Sequence, residues 1–242
     1  MSRRLRVAIA AAAIALALPV TAYVLPSAAI LRLAAKRRAD AAAQSGELRG
    51  TFSTGATAPT AAVLWVKGGR CRLELVGSPE RPYAIVRGGH VASQRGLDRY
   101  PGAAALAEGA CALLGPATPD ALVRSFAGRG VAVQEVTLGR LGARVAYVLG
   151  GHAKESRPQA WIDKQLVVPM RLVADVAGAR RDVRLLDYPV PAPAAAGERV
   201  APPPVASDLW PRAIEVHHDD ALEARFAIDR VGPGAKIPDS LL

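Results

Sequence analysis

Short runs in which apolar and polar side chains alternate, punctuated by Gly-Gly pairs, constrain this chain more than any other feature. Successive side chains of a strand point to opposite faces, so alternation marks a strand with one buried face. Cys71, Leu73 and Leu75 alternate with Arg72 and Glu74. Gly68-Gly69 separates the run 62–67 from 70–76, and Gly88-Gly89 separates 83–87 from 90–94. A two-residue glycine link suits a tight hairpin, whose turn needs positive φ at both positions. Leu48 and Phe52 open the series, and further short runs follow at 131–138, 144–149, 160–164, 168–176, 182–188, 213–217 and 223–231. The reading is about eleven strands in sequence order, joined by short connections into one antiparallel sheet. A sheet of that length must curl or close to shield its apolar face.

Three segments break the pattern. Residues 27–43 carry Ile30, Leu31, Leu33, Ala34 and Ala35 at helical spacing behind a Ser27 N-cap. Residues 101–114 and 119–126 are Ala-rich with Pro near each start, which suits two short helices. Strands with three helices make the fold class α+β. Residues 189–207 are too rich in Pro for a central strand and read as a long loop between two strands.

The start of the chain sets the compartment. Arg3, Arg4 and Arg6 precede an uncharged apolar run that begins at Val7, and Val20-Thr21-Ala22 supplies small residues where a signal peptidase reads. Residues 1–22 therefore read as a secretory signal and 23–242 as a single domain. No charge occurs between Val7 and Leu31, so retention as one membrane-spanning anchor is the alternative. The expected location is periplasmic, or inner-membrane anchored if the signal stays. Lys and Arg number 31 against 21 Asp and Glu, a net charge of +10. Three of those Arg lie in the signal, and no long basic block interleaves with aromatics, so nucleic acid is not the expected partner.

Cys71 and Cys111 are the only cysteines and have neither C-x-x-C redox spacing nor the four ligands of a structural zinc site. Two readings stand side by side: a disulfide formed after export, or two buried thiols.

Residues 160–164 (Ala-Trp-Ile-Asp-Lys) and 168–172 (Val-Pro-Met-Arg-Leu) form two recognisable phrases of the C-terminal half, with Asp187-Tyr188 and Trp210-Pro211 after them. Residues 228–231 (Ile-Asp-Arg-Val) and 236–239 (Lys-Ile-Pro-Asp) complete that half, and residues 64–67 (Leu-Trp-Val-Lys) with 84–86 before Gly88-Gly89 do the same for the N-terminal half. Together they resemble the strand-and-turn phrases of the periplasmic outer-membrane lipoprotein carrier (LolA-like) superfamily. The resemblance implies an incomplete antiparallel β-barrel, its apolar concave face covered by helices around a cavity for acyl chains. On that reading Leu64, Cys71, Leu73 and Leu75 supply a sheet wall, and Leu106, Leu113, Leu114, Leu122 and Phe126 the underside of a lid. Ordinary core is the competing reading of each. The carriers follow the Leu-Trp-Val-Lys strand directly with an Arg that is important for accepting cargo. Here Gly68 follows Lys67 and Arg70 is only nearby, which marks a divergent member. The implied function is non-enzymatic carriage of lipid or lipoprotein acyl chains, with membrane-bound donor and acceptor proteins as partners. The alternative is a periplasmic sensor or a module of an envelope complex on the same fold.

Lys36, Arg37 and Arg38 on the first helix, with Arg70, are the candidate contacts to anionic head groups or an acidic partner. His217-His218-Asp219-Asp220 is the one dense group of metal-capable side chains, but strand neighbours point to opposite faces and the stretch reads as a turn. Asp163 and Asp187 belong to the structural phrases, and nothing in the sequence brings them together as an acid/base pair. No nucleophile elbow, phosphate loop, zinc-protease or dinucleotide motif occurs. No catalytic residue, cofactor or metal is expected.

Overall fold

A computed structural model of the chain describes residues 24–40, 45–55, 57–189 and 206–242. The signal or anchor segment and most of the Pro-rich loop lie outside the described residues. Among the described residues no helix is long and apolar enough to cross a membrane.

Twelve strands form one sheet: β1 (Ser45–Thr54), β2 (Thr60–Lys67), β3 (Arg70–Glu74), β4 (Tyr83–Arg87), β5 (His90–Arg95), β6 (Val136–Leu141), β7 (Arg144–Leu149), β8 (Gln159–Asp163), β9 (Pro169–Val176), β10 (Ala179–Leu186), β11 (Ala213–His218) and β12 (Ala221–Pro233). Their order across the sheet is β5-β4-β3-β2-β1-β12-β11-β10-β9-β8-β7-β6. Two meanders thus meet where the first strand pairs antiparallel with the last. The join is tight: a Cβ on Gly50, at the β1 bulge, would overlap the Ala227 carbonyl oxygen, so only glycine permits it. β5 and β6 are the two edges and do not pair, so the barrel is incomplete and the fold is α+β.

The Gly-Gly hairpins form as expected. Gly68 and Gly69 have φ of 54° and 81°, Gly88 and Gly89 of 61° and 89°. They set a register that faces Leu64 with Leu73 and Val86 with Val91. The run at 131–138 differs from expectation, because β6 begins only at Val136. Its first residues end the preceding helix instead: the Val131 N–H donates to the Phe126 carbonyl at 3.1 Å, behind a left-handed Gly130. Val131 and Val133 are buried, so the apolar alternation there marks a packed loop.

The helices are α1 (Ser27–Asp40), α2 (Ala103–Leu114) and α3 (Pro119–Ala127). α2 lies in the concavity and touches strands from both meanders. Eleven of its twelve residues are buried, so it has no solvent face. α3 is amphipathic, with Leu122 and Phe126 as its buried residues. Thr118 caps α3, its hydroxyl accepting from the Ala121 N–H at 3.2 Å, and Pro119 occupies the first turn. α1 packs over α3 and the 3-10 turn at Ala206–Leu209.

Candidate functional site

The nine residues read as cavity lining do come together. Leu64 of β2, Cys71 and Leu73 of β3, Leu75 just beyond it, Leu106, Leu113 and Leu114 of α2, and Leu122 and Phe126 of α3 belong to one cluster and are at most 1% exposed. α2 fills the space between the sheet and α3, and a close approach makes this possible. Gly109 faces Val183 of β10 so tightly that a Cβ would lie 2.5 Å from a Val183 methyl. Cys111 of α2 is bonded to Cys71 of β3, with Cα atoms 5.7 Å apart. The helix at the centre of the barrel is therefore fixed covalently to its wall.

The basic residues divide. Lys36 is exposed and Arg37 half-buried. Arg38 does not share their face and is corrected here: it is 2% exposed, lies over the Trp210 ring at 4.7 Å from the centroid, and donates to the Leu114 carbonyl at the end of α2. Burial lowers its pKa to about 10. Aromatic stacking and an orphan helix-end carbonyl replace the water a surface arginine would keep. Arg70 lies 2.6 Å from Asp239, which Lys67 also reaches at 3.0 Å. Hydrogen bonds from Lys67 and Arg70 hold the Asp239 carboxyl below its ordinary range.

Three of the surface clefts among the described residues are lined by none of these nine apolar residues. The first, about 580 Å³, lies between the two Gly-Gly turns, the α2–α3 connection and one face of α3, with Arg70, His90, Arg124 and Arg129 around it. Arg129 is built into its wall, with a side chain 4% exposed. It donates to the Ser125 carbonyl at 2.9 Å and to the Gly89 carbonyl, and stands 3.5 Å from Glu108. Its Nε has no hydrogen-bond partner among the described residues. Burial lowers the Arg129 pKa, partly offset by Glu108. The second cleft, about 550 Å³, runs along β5 from His90 to Gln94 with Glu108 opposite. The clefts therefore adjoin at His90 and the Glu108–Arg129 pair. The third lies beside Arg144 and Asp163. Asp163 accepts from Arg144 at 2.6 Å and from the Gln165 and Leu166 amides, holding the β8–β9 turn.

Sequence reasoning found the Gly-Gly turns but not the clefts they flank. The available signal was Glu108, the only charged residue within an otherwise Ala- and Leu-rich helix. At the other end of the sheet, Asp219 and Asp220 both have positive φ and make the expected β11–β12 turn. There His217 lies 3.0 Å from Glu215, while His218 is exposed beyond it.

Neither a family model nor a curated protein sequence matches the chain. Among solved structures it is similar to a LolA superfamily protein from Nitrosomonas europaea, over 90% of this chain and 97% of that one, at 12% identity and a TM-score of 0.47. A DUF1329 family protein from Desulfovibrio piger matches over 90% and 97%, at 11% identity and a TM-score of 0.41. MucB matches over 86% of this chain and 60% of its own, at 14% identity and a TM-score of 0.31, and has also been solved in complex with MucA(peri). The first of these belongs to the superfamily whose phrases the sequence resembles.

Proposed function

We propose that this chain is a non-enzymatic binding module of the cell envelope. On this reading it is exported by the segment 1–22, the single domain 23–242 acts outside the cytoplasm, and its partner is a protein held on the outside of the barrel. The observation that carries this reading is the filled concavity. A carrier must take up alkyl groups worth about 0.8 kcal/mol per CH₂, and here the space is occupied by α2, buried at eleven of twelve positions and bonded to β3. The disulfide agrees with an oxidising compartment.

Carriage of acyl chains is the second reading, favoured by one feature: α3 is held by two buried side chains, Leu122 and Phe126, and lies between Gly115 and Gly128. Lifting it would uncover an apolar trough beneath. Mass spectrometry of lipid extracted from the exported, oxidised protein, with titration of an environment-sensitive acyl probe, separates the two. The module reading expects no stoichiometric lipid and no saturable probe uptake. One lipid per chain would overturn it in favour of carriage.

A further inference from the structure

We propose that the β5 edge takes an extended, acidic segment of a partner protein as a thirteenth strand, its acidic side chains reaching the arginine-lined cleft at the β4–β5 turn. This deepens the module reading above and rests on it.

The two sheet edges are not alike. β6 is covered: the Thr137 hydroxyl donates to the Gly151 carbonyl at 2.7 Å, and a Cβ on Gly139 would lie 3.0 Å from the Ala153 methyl. These contacts place the loop after β7 over one face of β6, of whose six residues only one is exposed. On β5 the cover is partial: α2 packs against its inner side, and Ala177 and Gly178 of the β9–β10 turn face it across the second cleft. Five of its six residues are exposed, and among the described residues its only strand neighbour is β4. In a two-residue hairpin the flanking pair, Arg87 and His90, bond each other, so the next amide, Val91, points out of the sheet. The Val91 N–H does so, and the acceptor it meets is the Glu108 carboxylate at 3.3 Å. A side-chain oxygen stands where the carbonyl of an added strand would stand, and a cleft about as long as β5 lies beside it.

Charge selects the occupant. Arg70, Arg124 and Arg129 line the neighbouring cleft together with His90; Asp239 pairs with Arg70 and Glu108 with Arg129. Arg124 is exposed and, among the described residues, forms no ion pair. Arg129 keeps an Nε with no hydrogen-bond partner among those residues. An acidic segment complements this set. A second copy of the chain, pairing β5 with β5, would bring the two arginine-lined clefts toward each other.

The test uses the full exported protein with its disulfide intact and two blocked hexapeptides, one alternating Glu and Val, the other Lys and Val. Binding is followed by fluorescence anisotropy and by amide NMR shifts. The Glu/Val peptide should bind at least about tenfold more tightly than the Lys/Val peptide, with shifts concentrated on β5. Ala92→Pro, at the exposed bulge residue of β5 where Pro is tolerated, should abolish binding. Arg124→Glu, on the solvent side of α3, should remove the preference while leaving the fold intact. Equal affinity for the two peptides, shifts away from β5, or no binding at millimolar peptide would overturn the inference. Lipid in the purified protein would instead overturn the module reading, so the two failures are distinguishable.

Discussion

Replacing Gly109 with Ala should destabilise the protein, although Gly109 lies mid-helix, where the exchange ordinarily stabilises by about 1 kcal/mol. The reason is the filled concavity. The new methyl would lie 2.5, 2.8 and 2.9 Å from the three side-chain carbons of Val183. Val183 is 0% exposed in the middle of β10, and its β-branched side chain has no empty rotamer to enter. α2 cannot retreat, since Cys111 is bonded to the wall behind it and Arg38 holds its C-terminal end. Overpacking costs about 1–3 kcal/mol, and three contacts under 3 Å put this case near the upper end. Subtracting the propensity gain leaves about 2 kcal/mol, a fall in Tm of about 4–8 °C for a domain of this size. Urea unfolding of the oxidised protein measures it, and a second substitution, Val183→Ala, should recover part of the loss on the Gly109→Ala background. If Gly109→Ala is as stable as the parent or more so, the interior has slack, and the argument against an acyl cavity fails with it.

Reduction of the disulfide, or the double exchange of Cys71 and Cys111 to Ser, should cost about 4 kcal/mol in the chain-entropy model for a loop of this length, read as a lower urea midpoint with a steeper slope, since the unfolded chain without the cross-link is less compact. The Asp182 carboxyl should make the fold acid-sensitive. Burial alone would raise its pKa, but hydrogen bonds from Arg171 at 2.8 Å and from Arg184 outweigh that and hold it below the ordinary carboxylate range. Its contribution is therefore complete above the unfolded-state pKa of about 4 and is lost as pH falls through the lower folded value. Asp182→Asn should cost about 1–3 kcal/mol at neutral pH by leaving the half-buried Arg171 and Arg184 without their counter-charge, and should flatten the pH dependence of the urea midpoint below about pH 4.

Alternation and Gly-Gly pairs made the sheet legible, because hairpin registers are local: two glycines at positive φ fix which residues of β2 and β3, or of β4 and β5, face each other. Short connections account for the order within each meander, but the pairing of β1 with β12 is not local and had no signal in the sequence. What alternation could not distinguish was burial against a sheet from burial inside a loop, which is why Val131 and Val133 read as strand. Nor could it say how close α2 comes to the sheet. An Ala-rich helix with one glycine is equally compatible with a lid over a hollow and with a plug, and the difference lies in the meeting of Gly109 and Val183, 74 positions apart. Arg38 misled for a related reason. Three adjacent basic residues on a helix point in three directions, and the partner that draws Arg38 inward is Trp210, far along the chain. The clefts depend on where two turns and the start of α3 converge, which no local pattern records.

The energetics of opening decide where any exchange of contacts could take place. Expelling α2 would expose a helix with no polar face and would require the bond to β3 to break first, so no single alkyl chain could compensate for it. Lifting α3 is a different matter. Its buried anchors are Leu122 and Phe126, each worth about 1.5–3 kcal/mol on burial, so separating it from the core costs about 3–6 kcal/mol before any loss of hydrogen bonds. About four to eight methylenes placed in the same trough would return that amount at about 0.8 kcal/mol each. Carriage, if the protein performs it, must therefore run through α3 with α2 fixed beneath. Because Arg124 and Ser125 of α3 and Arg129 just beyond it line the cleft beside the β4–β5 turn, such opening would also dismantle the cationic wall next to β5. An occupied trough and an acidic strand on the edge would then compete through one nine-residue helix, so the two binding modes are exclusive on physical grounds.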